Sequence, residues 1–395
     1  MRARSRLIAA VCLLALTTIG CRSREQGAGQ AASLLQGYSP IDSQPVSDSE
    51  TNAAWPSIES RSELVQVLKE AALTQDTHTL RDLIDIETLC AQAVAALPPS
   101  HRGQAEREFR NRLDKPAFYL QLFCHDDPNT APLEFVKYRQ WEGKLIAQFR
   151  ISTPGRFDYV ECLVENKGET AVITDIYHYN EGRSLSGLIR TAIEENEALI
   201  ASNWVQKLTP QYRKAKADFD TVKRIDEAIK TQQGATALRL IKTLPATTQE
   251  SFKLLALRFD AARLTGNHEL MEKTLERYRV LYPTDTKAVM LSMQLHLNRN
   301  ESDHLLEDIN ALDEYAGGDA YLNLLRSTIY WGMGNRDVAV QLMQFVVSQF
   351  PNSAKAQELL ADMLLDMGRY EELYQLLVRY ESRFEIDLSD LANLP

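Results

Sequence analysis

The chain is poor in the residues from which chemistry is usually built. Only five cysteines and seven histidines occur in 395 residues. No two cysteines stand in a C-x-x-C pair, so zinc-ribbon and dithiol redox sites lack their spacing. No histidines form H-x-x-x-H or H-E-x-x-H, which removes the helical zinc motifs. There is no G-x-x-x-x-G-K-[S/T], no G-x-G-x-x-G and no G-x-S-x-G, so phosphate-loop, dinucleotide and serine-hydrolase readings have no support. An excess of positive charge is missing as well. Lysine and arginine number 44 against 54 acids, a net charge of −10. That balance argues against non-specific nucleic-acid binding, which needs clustered cations to displace counterions. The composition implies no enzyme, no cofactor and no resident metal.

The N-terminus is a targeting segment. Arg2, Arg4 and Arg6 precede a mostly apolar stretch from Leu7 to Gly20. Its 14 residues are too few to cross a bilayer as a helix, which takes about 20. It ends at Ile19-Gly20-Cys21, which resembles the lipobox of bacterial lipoproteins, with Thr18 where that family usually has leucine. The resemblance implies a lipid-modified Cys21 (diacylglycerol thioether, palmitate-like acyl chains) and removal of residues 1–20. Such acyl chains would make a durable membrane anchor. Arg22, rather than aspartate, follows the cysteine, which in this family favours the outer membrane facing the periplasm. The alternative is a plain secretory signal cut nearby. Without residues 1–21, which hold three arginines and no acid, the charge falls to −13.

Residues 22–56 are rich in Gly, Ser, Gln, Ala and Pro and read as a disordered tether. Residues 57–205 read as an α+β domain. Helices are expected over residues 57–125, the first capped by Ser60 or Ser62, the second over 85–97, the third over 104–113 and ending before Pro116. After Pro132 the hydrophobic period becomes two. Strands are expected over 135–141, 144–151, 157–165 and 171–179, joined by Glu142-Gly143, Pro154-Gly155 and Asn166-Lys167-Gly168. Helices followed by an antiparallel meander give the α+β class. The order of elements weakly resembles the nuclear-transport-factor-2-like fold, which packs helices in a curved sheet and often encloses a pocket. Cys90, Cys124 and Cys162 allow one disulfide and a leftover thiol, or three buried unpaired thiols, the reading preferred here.

From Asn203 onward the pattern is helical. Residues 206–250 form a connector with a degenerate repeat at Gly234–Pro245, and 251–395 form a regular array. Gly266, Asn300, Gly334 and Gly368 recur at a 34-residue step. Nine residues after each lie Leu275, Ile309, Met343 and Leu377; nine before lie Leu257, Leu291, Leu325 and Leu359. Pro283 and Pro351 stand two periods apart. This resembles the tetratricopeptide repeat (TPR), a helix–turn–helix unit. Unit 320–353 fits best, with Tyr330, Gly334, Ala339 and Pro351 at the expected slots. The resemblance implies an all-α solenoid after the α+β domain, with a concave face that binds proteins.

By phase, the family's ligand-facing rungs fall at Lys253, Ala256, Asp260 and Arg263; at Lys287, Met290 and Gln294; at Tyr321, Leu324, Thr328 and Trp331; and at Lys355, Glu358 and Asp362. Met290, Tyr321, Leu324, Thr328 and Trp331 form the expected partner-binding centre, because aromatics in a groove are frequent hot spots. The alternative is that Tyr321 and Trp331 pack in the stack or on the α+β domain. Cys124-His125-Asp126-Asp127 reads as a loop, since catalytic groups converge in space rather than in sequence. Asp175 and Tyr177 would bind or act on a small molecule if their face lined a cavity; the plainer reading is aromatic packing at a domain seam. The function expected is a membrane-anchored scaffold for an envelope protein or peptide. The rival is an enzyme or small-molecule binder in the α+β domain.

Overall fold

In a computed structural model, the residues described are Pro40, 43–95, parts of 99–123, 133–153, 156–195 and 209–380. Cys21, the run 22–39 and the Cys124–Asp127 loop lie outside them. The described chain forms two compact bodies. The first holds residues up to Asn300 together with Tyr315–Gly317; the second holds Glu301–Glu314 and the residues from Gly318 onward. The division expected at 250/251 is therefore not where the chain separates: the first regular repeat and residues 286–300 of the second are compact with the α+β domain.

In the first body, six strands form one antiparallel sheet in sequence order: β1 (Gln44–Val46), β2 (Leu133–Trp141), β3 (Lys144–Thr153), β4 (Arg156–Lys167), β5 (Thr170–His178) and β6 (Arg183–Ser184). Alternation decides the two faces. Leu145, Ala147, Phe149 and Ile151 of β3 and Val160, Cys162 and Val164 of β4 enter one apolar core. That core packs against α1 (Ile58–Thr74), α2 (Thr77–Asp82), α3 (Ile86–Val94), α4 (Pro116–Phe123) and α5 (Leu185–Glu195). At about 25 cal/mol per Å² of apolar area buried, such a layer is the main stabilising term. Cys90 and Cys162 lie in it as free thiols. Burial pushes Cys90 up to about 11 and Cys162 further, so neither is a nucleophile at neutral pH.

The tether expectation is corrected at its C-terminal end. Gln44–Val46 pairs with Tyr138–Gln140 as an edge strand, where Pro45 costs no ladder bond. Trp55 is buried and its indole N–H donates to Gly143 O at 2.7 Å. Arg61 reaches from α1 to the carbonyls of Asp48 and of Glu50 (2.8 Å) and lies over the Tyr138 ring. The helix caps also shift. Ser57, not Ser60 or Ser62, caps α1 by accepting from Ser60 N–H. Pro116 opens a further helix, α4, as suits a residue with fixed φ and no N–H in a first turn.

The array follows the expected phase. Its helices are α6 (Pro210–Lys230), α7 (Gly234–Ile241), α8 (Ala246–Gln249), α9 (Phe252–Leu264), α10 (His268–Leu281), α11 (Thr286–Arg299), α12 (Ser302–Ala316), α13 (Leu322–Gly332), α14 (Arg336–Gln349), α15 (Ala354–Asp366) and α16 (Tyr370–Arg379). All four step residues adopt left-handed backbone angles: Gly266 at φ 66°, Asn300 at 57°, Gly334 at 84° and Gly368 at 69°. Leu275, Ile309, Met343 and Leu377 are buried in the helix-pair seams. Asn267, Asp285 and Ser353 cap α10, α11 and α15 through side-chain oxygens.

One expectation about the array is overturned. Gly234, which opens the degenerate repeat at Gly234–Pro245, stands 32 residues before Gly266 and is not that unit's turn. The left-handed turn is Gln232, at φ 61°, in step with Gly266. Gly234 serves another purpose: a Cβ there would stand 2.7 Å from Ala261 O and 2.8 Å from Leu264 Cβ, so glycine lets α7 lie close on α9.

Candidate functional site

The rungs of the first two regular repeats are covered inside their own body. Lys253, Ala256 and Asp260 on α9, and Lys287, Met290 and Gln294 on α11, are all buried. Part of the cover is the end of the sheet. Thr286, at the start of α11, donates its hydroxyl to Tyr179 O at 2.8 Å, and its Oγ1 lies 3.3 Å from the Tyr177 hydroxyl. The Arg183 guanidinium lies over the rings of Phe252 (4.2 Å) and Tyr282 (5.2 Å). Gly182, at φ 66°, touches Asp285 so closely that a Cβ would fall 1.4 Å from Oδ1. The β5–β6 turn thus covers the start of α11, beside rungs that the resemblance expected to face a ligand.

Beside these rungs lies a small cleft lined by Glu181, Phe252, Lys253, Ala256, Leu257, Tyr278 and Lys287. Its water-accessible space is about 20 Å³, room for a water or two but not for a peptide side chain. Beside it, the Asp285 carboxylate accepts from Tyr278 O–H (2.7 Å) and Lys287 N–H (2.9 Å). Burial pushes Asp285 up to about 6, against the opposing pull of Arg183. Burial raises Asp260 as well, and Arg263 and Lys287 resist it.

The sheet face turned away from the apolar core carries a closed polar node. Arg139 Nη1 donates to Glu161 Oε1 at 2.8 Å and to Tyr315 O at 2.6 Å, and Nη2 reaches Pro40 O (2.5 Å) and Ser43 O (3.3 Å). Gln148 Nε2 and Tyr179 O–H donate to the same Glu161 oxygen at 2.8 and 2.9 Å. Arg139 and Glu161 are each 1% exposed. This node fastens the chain before β1 and the Tyr315–Gly317 segment to the sheet.

The small-molecule rival loses its residues to structure. Asp175 Oδ1 accepts from Ile176 N–H (2.9 Å) and Ser186 N–H (3.0 Å), and Oδ2 accepts from the Ser186 hydroxyl (2.5 Å). It is a fastener for the first turn of α5, not an acid facing a cavity. Tyr177 lies at the seam with Thr286, and its ring packs edge-on to Tyr179 at 5.9 Å. The aromatic pair therefore serves packing.

In the second body, Leu324, Thr328 and Trp331 are buried and Tyr321 is partly covered. Leu324 and Trp331 share a core with Ala339, Val340, Leu360 and Met363. Arg336 caps the Trp331 ring at 5.2 Å. With Met290 already buried in the first body, the expected aromatic centre offers little surface to a ligand, because its side chains hold the helix pairs together. The same rungs one repeat later are open: Lys355, Glu358, Asp362 and Leu365 are exposed along α15. The 34-residue step that marked Lys253 also marks Lys355, but nothing in the sequence tells a covered rung from an open one.

The architecture defines a class: a stack of helix–turn–helix repeats, partly closed by its own α+β domain. Residues 224–393 match the family described as tetratricopeptide repeat. Among solved structures, the chain is similar to "MamA 41-end from Desulfovibrio magneticus RS-1" at 17% identity and a TM-score of 0.34, over 44% of this chain and 96% of that one. It is similar to "MamA RS-1 ArsTM double mutant" at 16% identity and a TM-score of 0.35, over 45% and 97%. No curated protein matches the chain.

Proposed function

We propose that the chain is a lipid-anchored scaffold of a bacterial cell envelope, on the outer membrane facing the periplasm, that binds another protein or peptide through its last repeats. One observation carries the choice of surface. Equivalent rungs are buried at Lys253 and Lys287 and exposed at Lys355. A repeat array whose first rungs are covered in cis leaves Lys355, Glu358, Asp362 and Leu365 as the concave surface open to a partner. The lipid anchor rests on the Ile19-Gly20-Cys21 sequence.

A photo-crosslinking residue placed at Asp362 should capture an envelope protein from detergent-solubilised membranes, and one placed at Asp260 should not. Capture from Asp260, or from neither, counts against the reading. Mass spectrometry of the mature N-terminus should show a lipid-modified Cys21, and Cys21→Ser should release the protein from membranes. An unmodified N-terminus removes the anchor from the proposal while leaving the surface intact.

A further inference from the structure

The last described helix of the array carries a second surface, distinct from the open rungs. Of ten large apolar side chains left exposed among the described residues, seven lie between Met333 and Val378. Three of them, Tyr370, Tyr374 and Val378, form an i, i+4, i+8 stripe along α16 at 40–47% exposure. The adjoining flank of the helix is spent: Leu373, Leu376 and Leu377 are buried in the core of the second body. Glu372 faces α14, where it accepts from Gln344 Nε2 at 2.9 Å. Helical spacing puts the stripe on the side of α16 turned away from α14.

Beside the stripe runs a second line, Glu371, Gln375 and Arg379, all exposed. It lies about 100° around the helix, where flanking charges sit in paired helices. Its signs are opposite at the two ends. A second α16 laid antiparallel, related by a two-fold axis near Tyr374, would set Tyr374 on Tyr374, Tyr370 across from Val378, and Glu371 across from Arg379. A parallel pair, related by a two-fold along the helices, would put the two lines on opposite sides of the contact and leave Glu371 without Arg379. The face is complementary to itself in one direction only.

We infer that α16 is a self-association surface, pairing antiparallel with α16 of a second copy of this chain. A ten-residue helix is only about 15 Å long, and such a contact buries less than an obligate dimer does. The association is therefore reversible and depends on concentration. At a membrane, where an anchored chain is locally concentrated, that weakness suffices for pairing.

Sedimentation velocity on the full chain carrying Cys21→Ser, so that lipid contributes nothing, tests this. The mean mass should rise towards a dimer with concentration. Tyr374→Glu should weaken association at least about tenfold without moving the melting curve. Glu371→Arg should also weaken it, and Glu371→Arg with Arg379→Glu should restore it, which a merely structural role of these residues would not do. A full chain that stays monomeric at every concentration overturns the inference. So does a monomeric full chain whose truncation after Tyr380 dimerises, since residues 381–395 would then be what covers the stripe. Failure of the double reversal to restore association overturns the antiparallel arrangement.

Discussion

The same rung of the repeat meets opposite fates at the two ends of the array. Lys253 and Lys287 are buried in the first body; Lys355 stands exposed, with Glu358 as a distant ion partner at 3.8 Å. A buried ammonium is tolerated only among compensating groups. The first body supplies them: Glu181 lines the same cleft, and Asp260 feels Lys287. At Lys355 water does that work and the ion pair adds little. The comparison teaches that a repeat period identifies equivalent rungs, while the packing around each rung decides whether it is free. In the first body the β5–β6 turn covers the start of α11, and the array behaves there as part of a globular core.

The largest expected effect tests that closure. Arg139 holds Glu161, Tyr315 and the chain before β1 from a site 1% exposed. Removing one partner of a buried ion pair strands the other, a loss of about 3–5 kcal/mol. Arg139→Met should therefore lower the unfolding midpoint of the first body in denaturant. A change below about 1 kcal/mol would mean that the node is ornamental. Trp331→Ala should cost about 3 kcal/mol or somewhat more, as large-to-small core changes do. If calorimetry shows no loss, the residue is not core and the groove reading of Trp331 returns.

How much of this was legible depended on whether the signal was local. Repeat phase was legible because left-handed turns ask for Gly or Asn, and Gly266, Asn300, Gly334 and Gly368 carry them. Gln232 was not, since glutamine has no such preference and Gly234 two residues on drew the eye; its true service is close packing on α9. The meander was legible from period-two alternation and its glycine turns. The edge strand at Gln44–Val46 was hidden by a polar, proline-bearing context, although Val46 and Trp55 were apolar signals within it. The covered rungs were illegible for a deeper reason. Thr286 to Tyr179 spans 107 residues, and no local pattern encodes a contact at that distance.

The next effect probes the turn that covers the start of α11. Gly182 combines a left-handed φ with contact against Asp285. Gly182→Ala adds both strain and overlap, about 3 kcal/mol together. Thermal unfolding should show it in the first body, whereas Gly318→Ala, left-handed but with nothing within 4 Å, should show the strain alone. Equal losses would mean that the turn is not pressed against Asp285.

Asp285 should give the seam a pH dependence. Its folded pKa, about 6, lies above the ordinary carboxylate value of 3.8 because burial disfavours the charge. The folded chain therefore binds the proton more tightly than the unfolded one. This group's contribution is most favourable below pH 3.8 and is lost as pH rises through about 6. The loss is on the order of 2–3 kcal/mol. Asp260 and Glu165, also raised by burial, add slopes of the same sign, so the informative quantity is the difference between wild type and Asp285→Asn. That variant should flatten the fall between pH 4 and 7 in chemical unfolding, by about the same amount. Identical profiles would place the carboxylate in contact with water.

The smallest expected stability effect falls on the other side of the comparison, and there it is the absence of cost that matters. Lys355 is exposed, and its pairing with Glu358 is long and screened. Lys355→Ala should change stability by no more than about 0.5 kcal/mol, as surface changes away from special features do. Lys253→Ala, at the same rung, removes a buried side chain that lines a cleft with Phe252 and Leu257, and should cost several times more. Partner capture should reverse that order. Lys355→Ala and Asp362→Ala should weaken crosslinking from α15 in chains that melt normally, while Lys253→Ala should affect capture only as far as it unfolds the first body. If both lysines cost the same, the distinction between a filled and an open rung fails. If Lys355→Ala leaves capture intact while the α16 variants abolish it, the working surface of the array is its end rather than its concave face.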